Sequence, residues 1–143
     1  MKKCQELAEL SKLCQTYAIV IISEVHGSEQ EILHALKAFK RSFDISVSLC
    51  SVGGEVERDT GGQTDPIYRK PIFSHIVLGR AVCVEVKGPL PGQVLSTVGA
   101  HNHGFTNRDM ANFEKFVKDR SAQAVSRPDL YGFNLVGDFN LGP

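Results

Sequence analysis

Three places in this 143-residue chain put a side chain fit for chemistry directly after an apolar run. Glu24 follows "AIVIIS". His101 follows "VLSTVGA" and leads into Asn102 and His103. Asp138 and Asn140, two residues apart, follow "FNLVG". A carboxylate at the end of an apolar segment is costly to bury without a partner, and a metal ion is one such partner. Oxygen donors from Glu, Asp and Asn suit Mg²⁺ or Mn²⁺ better than zinc. Each residue has a plainer reading. Glu24 can be the first solvated residue of a loop. His101 alone fits a hydrogen-bonded strand end, and Asp138 alone fits Gly-Asp turn chemistry. "HNH" at 101–103 is too short to be read as a nuclease motif. His26, His34 and His75 show no pairing and read as surface or satisfied polar residues.

The elements that would carry these residues follow from periodicity. Cys4, Leu7, Leu10 and Cys14 recur at helical spacing over 3–16. "YAIVIISEV", 17–25, is a continuous β-branched run that reads as a strand buried on both faces. Ser28 with Glu31 is a capping signature, and Ile32, Leu33, Leu36 and Phe39 continue a helical stripe through 28–39. "DISVSLCSV", 44–52, alternates in the manner of a strand. Residues 53–71, with two Gly-Gly pairs and two prolines, read as a long loop or an irregular strand. Ile76 to Leu78 and Ala81 to Val86 make one long strand or two short ones broken at Gly79. "GPLPGQ" is a turn, and 94–101 is a strand. Thr106 with Asp109 caps a helix carrying Met110, Phe113, Phe116 and Val117, and 132–137 is the last strand. This order is that of a mixed α/β layered domain. Leu7, Leu10, Ile32 and Leu36 are expected to lie buried, with their helices covering one sheet.

A chain of this length, 42% hydrophobic, is long enough for one cored domain. Sixteen basic and sixteen acidic residues cancel, so net charge supplies no pull toward nucleic acid or membrane. A bound cation could supply positive charge locally. The four cysteines, at 4, 14, 50 and 83, have neither CxxC nor zinc-finger spacing and read as buried thiols of a reducing compartment. No stretch approaches a membrane span, and the charged N-terminus lacks the apolar core of a secretion signal. An intracellular location is the expectation, with the nucleus as one option.

"LVGDFN" resembles the Gly-Asp-Phe-Asn signature of the endonuclease/exonuclease/phosphatase superfamily, the DNase I-like fold. "IVIISEVHG" resembles the strand that supplies that family's metal-binding glutamate. "LSTVGAHNHGF" resembles its strand ending in Asn-x-His, and "HIVLGRAVCVEV" the strand before. "EVHG" and "AHNHGF" lean toward the endonuclease domains of non-LTR retrotransposons. The resemblance covers most of the chain in order. It implies a DNase I-like sandwich of two β-sheets flanked by helices, occupying 1–143 as a partial domain. It further implies Mg²⁺ or Mn²⁺ held by Glu24, and Asp138 orienting or deprotonating the attacking water. Asn140, with Asn102, would bind the phosphate, and His101 would assist the leaving group or the phosphorane. DNA is the substrate so implied, and Glu24, His101, Asp138 and Asn140 would then converge on one sheet edge.

Departures from the pattern accompany these matches. Ser23 stands where the family has Gln, and Gly99 where it has the Asn of Asn-x-His. "GGQTDP" puts a proline into a strand that the family reads as Gly-Gly-Val. The family's first strand, with its asparagine ligand, and its final Ser-Asp-His segment have no counterpart, so the chain reads as an incomplete domain with impaired phosphodiester hydrolysis. Two alternatives stand beside the nuclease: an inositol-phosphate or sphingolipid phosphodiesterase of the same superfamily, and a non-catalytic remnant that binds a partner.

Overall fold

The computed structural model describes residues 2–22, 28–40, 42–48, 53–56, 69–102 and 104–138. Among them are three α-helices and two sheets in a mixed α/β arrangement. Helix α1 spans Lys2–Thr16 and α2 spans Glu29–Leu36, continued by a 3-10 turn, Lys37–Phe39. Strands β1 (Ile45–Ser48) and β2 (Gly53–Val56) form an antiparallel ribbon. Strands β3 (Ile72–Val77), β4 (Ala81–Lys87), β5 (Val94–His101) and β6 (Tyr131–Asp138) form an open four-stranded sheet in that order. Helix α3, Asn107–Ser126, connects β5 to β6. No helix among the described residues is long and apolar enough to cross a membrane.

The sheet is locally antiparallel and then parallel. β3 and β4 are a hairpin turning at Gly79, whose φ of 76° favours glycine. The Pro-rich turn at 88–93 returns β5 antiparallel to β4, with Gly92 again at positive φ. β6 then lies parallel to β5, a pairing that requires a crossover, and α3 is that crossover. The helix starts where Thr106 and Asp109 complete a capping box, each side chain bonding the other's backbone N–H at 3.0 Å.

The core lies between α3 and one face of this sheet. Val77, Ala81, Cys83, Val98, Ala100 and Phe113 are buried, with Met110, Phe116, Val117 and Phe133 packed around them. Register explains the grouping: Ala81 pairs with Ala100 and Cys83 with Val98, so all four project to the α3 side. Glu85, next on that face, forms an ion pair of 2.9 Å with Arg120 of α3, whose guanidinium also lies over the Phe116 ring at 4.8 Å.

Two expectations are corrected. Residues 17–22 form no strand; Tyr17 is 60% and Ile22 52% exposed, so this run is not buried on both faces. A β-branched run shows strand preference, but a strand also needs a neighbour for its backbone groups. The stripes of α1 and α2 are only half-covered as well. Leu10, Ile32 and Leu36 are half-buried and α2 contains no buried residue; the Leu7 side chain lies outside the described set. Region 53–71 resolves in part into β2, and 57–68 lies outside the described residues. Of the thiols, Cys83 is fully buried and Cys14 half-buried.

Candidate functional site at one end of the sheet

The β5–β6 register pairs His101 with Asp138, so the last residues of two adjacent parallel strands stand side by side. Parallel strands end together at their C-terminal edge, where crossover loops leave room for a ligand. The pairing depends on Gly137. Its φ is 131°, and a Cβ there would run into the carbonyl of Ala100, its register partner. Only glycine lets β6 approach β5 so closely one residue before the aspartate.

The loop that leaves His101 is fixed from two sides. Phe105 packs edge-on against Phe113, centroids 5.8 Å apart, which draws the loop onto the core. Gly104, at φ 76°, lies against the guanidinium of Arg80; a Cβ there would sit 3.6 Å from an Arg80 nitrogen. Arg80 belongs to the β3–β4 turn, and its carbonyl accepts a 2.8 Å hydrogen bond from the His101 backbone N–H. Arg80, His101 and Asp138 thus occupy neighbouring positions across three strands at one edge. The position of Arg80 beside His101 depends on the register between β4 and β5.

The face of β5 away from α3 explains Gly99. Ile21 lies directly over it, so a Cβ on residue 99 would come within 2.6 Å of the isoleucine side chain. No asparagine fits there while Ile21 holds that place. Between residues 18–21 and the strands lies an open cleft of about 400 Å³, bordered by Thr97, Asn134 and Val136.

The remaining expected site residues fall differently. Asn102 directly follows β5 and is half-buried, in the same loop as His101. Glu24, Asn140 and His103 lie outside the described residues. Among the described residues no group of three or more His, Cys, Asp or Glu side chains is placed to hold a metal. His75 departs from its reading as a satisfied polar residue. Its Nε2 lies 3.3 Å from Ser46 Oγ, but its buried Nδ1 has no hydrogen-bond partner among the described residues. The serines of β1 face the larger sheet, since Ser48 Oγ also accepts from the Gly79 N–H at 2.8 Å.

The opposite end of the sheet is a contrast. Arg127, just before β6, donates two hydrogen bonds, 3.1 and 3.2 Å, to the carboxylate of Asp129. That contact holds the Asp129 carboxyl below its usual range and the guanidinium above its own. Both groups are fully exposed, so the pair is screened by solvent.

No protein-family model matches the chain, and neither a curated protein nor a solved structure matches it.

Proposed function

We propose that this chain is a DNase I-like phosphodiesterase domain that cleaves nucleic acid, DNA foremost, slowly and with a divalent metal ion. The observation that carries the reading is the parallel register that sets His101 beside Asp138, with Gly137 shaped to permit it. In this reading Asp138 accepts the proton of the attacking water. His101 donates to the departing oxygen, and Asn140 and Asn102 hold phosphate oxygens. Glu24 holds the metal with oxygen ligands. A bound Mg²⁺ or Mn²⁺ would neutralise phosphate charge and lower the pKa of its water. Glu24 is three residues beyond Ile21, a reach of up to about 10 Å. The strand end is two residues, about 7 Å, beyond Gly99 on which Ile21 rests. The edge is therefore within chain reach of Glu24.

Slowness follows from Gly99. A side-chain donor that the reading expects at this position is replaced by contact with Ile21, and removing one preorganised stabilising group costs about 100- to 1,000-fold in rate. The second reading is a binding module without turnover. Supercoiled-plasmid nicking separates the two. The expected result is weak nicking with Mn²⁺ or Mg²⁺ that EDTA stops and Asp138→Ala removes. Nicking that survives Asp138→Ala, or none at all over long incubation, would sink the hydrolytic reading.

A further inference from the structure

We infer that β6 is the docking edge for a second copy of this chain, the two β6 strands pairing antiparallel into one continuous sheet. The two outer strands of the larger sheet differ. β3 has Pro71 directly before it, a register shift between His75 and Val77, and β1 serines bonded to His75 and to the adjoining Gly79 N–H. Prolines, bulges and covering segments are how sheet edges avoid pairing. β6 carries none of these among the described residues. All of its positions pair with β5 without a register shift, and Tyr131 to Gly137 contain neither proline nor charge. Leu135 and Val136 are 39% and 47% exposed, and no described strand pairs with the outer side of β6.

Register fixes what an incoming strand would meet. The Val94 N–H bonds to the Leu130 carbonyl at 2.7 Å. In a parallel ladder that phase turns the backbone groups of Gly132, Asn134 and Val136 toward β5, and those of Phe133 and Leu135 outward. A two-fold axis at Asn134 then sets Phe133 opposite Leu135 of the second copy, exchanging N–H···O=C bonds, and repeats that pair on the other side of the axis. Both residues belong to the α3 side of the sheet, where Phe133 already packs on the core, and they make an apolar cross-strand pair. Asn134 meets Asn134 of the second copy on the opposite face. The charges agree with self-pairing. The chain has no net charge, so two copies approach without general repulsion. The antiparallel arrangement also sends the two Asp138 residues to opposite ends. A strongly charged partner would find no complementary charge between Tyr131 and Gly137.

Sedimentation velocity of the full chain, followed across about a hundredfold range of concentration, tests this. The average mass of wild type should rise with concentration toward twice the 15.7 kDa of one chain. Leu135→Lys removes the Phe133–Leu135 pair on both sides of the axis and puts a charge on the edge, so it should weaken association about tenfold. Ile72→Lys, on the β3 edge at a residue 60% exposed, should match wild type. Asn134→Cys, oxidised in dilute solution, should give a disulfide-linked dimer well above the wild-type level. Antiparallel pairs that share no hydrogen bonds bring side chains close enough for that bond. Val125→Cys on α3, 82% exposed, should stay at the wild-type level. Thermal melting of each variant is measured alongside. If Leu135→Lys melts early, the Asn134→Cys crosslink decides. A single-chain mass at every concentration overturns the inference. So does equal weakening by Leu135→Lys and Ile72→Lys, or an Asn134→Cys crosslink no better than that of Val125→Cys.

Discussion

The unit formed by β3 to β6 with α3 and the stretch from α1 to β2 use similar residue types, yet all six buried apolar side chains among the described residues belong to the first. In that unit each strand finds its neighbour through a short turn or a single helix, so the face that packs on α3 is covered by an element close in sequence. Loop closure there is cheap. The α1-to-β2 stretch has amphipathic helices and a β-branched run, but its side chains stop at half-burial, and its contact with the larger sheet is partly polar, through Ser46 and Ser48. An apolar stripe says that an element seeks cover; it does not say what will provide it. The paired strand ends at His101 and Asp138 belong to the buried unit.

The comparison predicts where substitutions should hurt. The largest effect is expected at Gly137→Ala. A positive-φ position costs a non-glycine residue up to about 3 kcal/mol, and here the methyl group also meets the β5 backbone. A loss of about 3 kcal/mol or more in urea unfolding is expected. A loss below about 1 kcal/mol would mean that β6 does not approach β5 as described.

Next in size is a matched pair of truncations. Val98 is fully buried, and Val98→Ala should cost about 2 kcal/mol through lost methyl groups and a residual cavity. Leu10→Ala in α1 removes more atoms from a half-buried position and should cost under about 1 kcal/mol. Equal costs would erase the distinction between the two regions.

A smaller effect is expected from pH. Burial, with Glu85 nearby, pushes the Cys83 thiol up to about 11. The unfolded thiol ionises near its ordinary value of 9.0, while the folded one stays protonated. Between these two values the unfolded state binds fewer protons, so stability falls as pH rises. Below pH 9 the contribution is fully present. Cys83→Ala should flatten that alkaline slope. An unchanged slope would place its origin elsewhere. In native protein, iodoacetamide should reach Cys14 before Cys83, as their difference in burial requires.

Much of the buried unit was legible in sequence. β5 matches its predicted bounds because a Gly-Pro turn and a polar run delimit it, and α3 begins at the predicted Thr106–Asp109 box because capping is local chemistry. The Gly79 break is the β3–β4 turn. The failures share one cause. The 17–22 run has strand composition but no strand partner among the described residues, and periodicity carries no information about partners. The role of Gly137 and the place of Arg80 beside His101 depend on the register of β4, β5 and β6, which emerges only when the strands assemble. "LVGDFN" was legible as a motif, and the glycine in it proves to be the residue that permits the aspartate's position.

We propose that the His101–Asp138 end of the β5–β6 pair is a divalent-cation site. Paramagnetic broadening by Mn²⁺ tests this without requiring turnover. Substoichiometric Mn²⁺ is added to ¹⁵N-labelled protein, and amide signals are followed in wild type and Glu24→Ala. Ala100, His101, Gly137 and Asp138 should broaden first, Tyr131 and Gly132 at the far end should stay sharp, and Glu24→Ala should abolish the pattern. Broadening first at the Tyr131 end, or a pattern indifferent to Glu24→Ala, would contradict a cation site there.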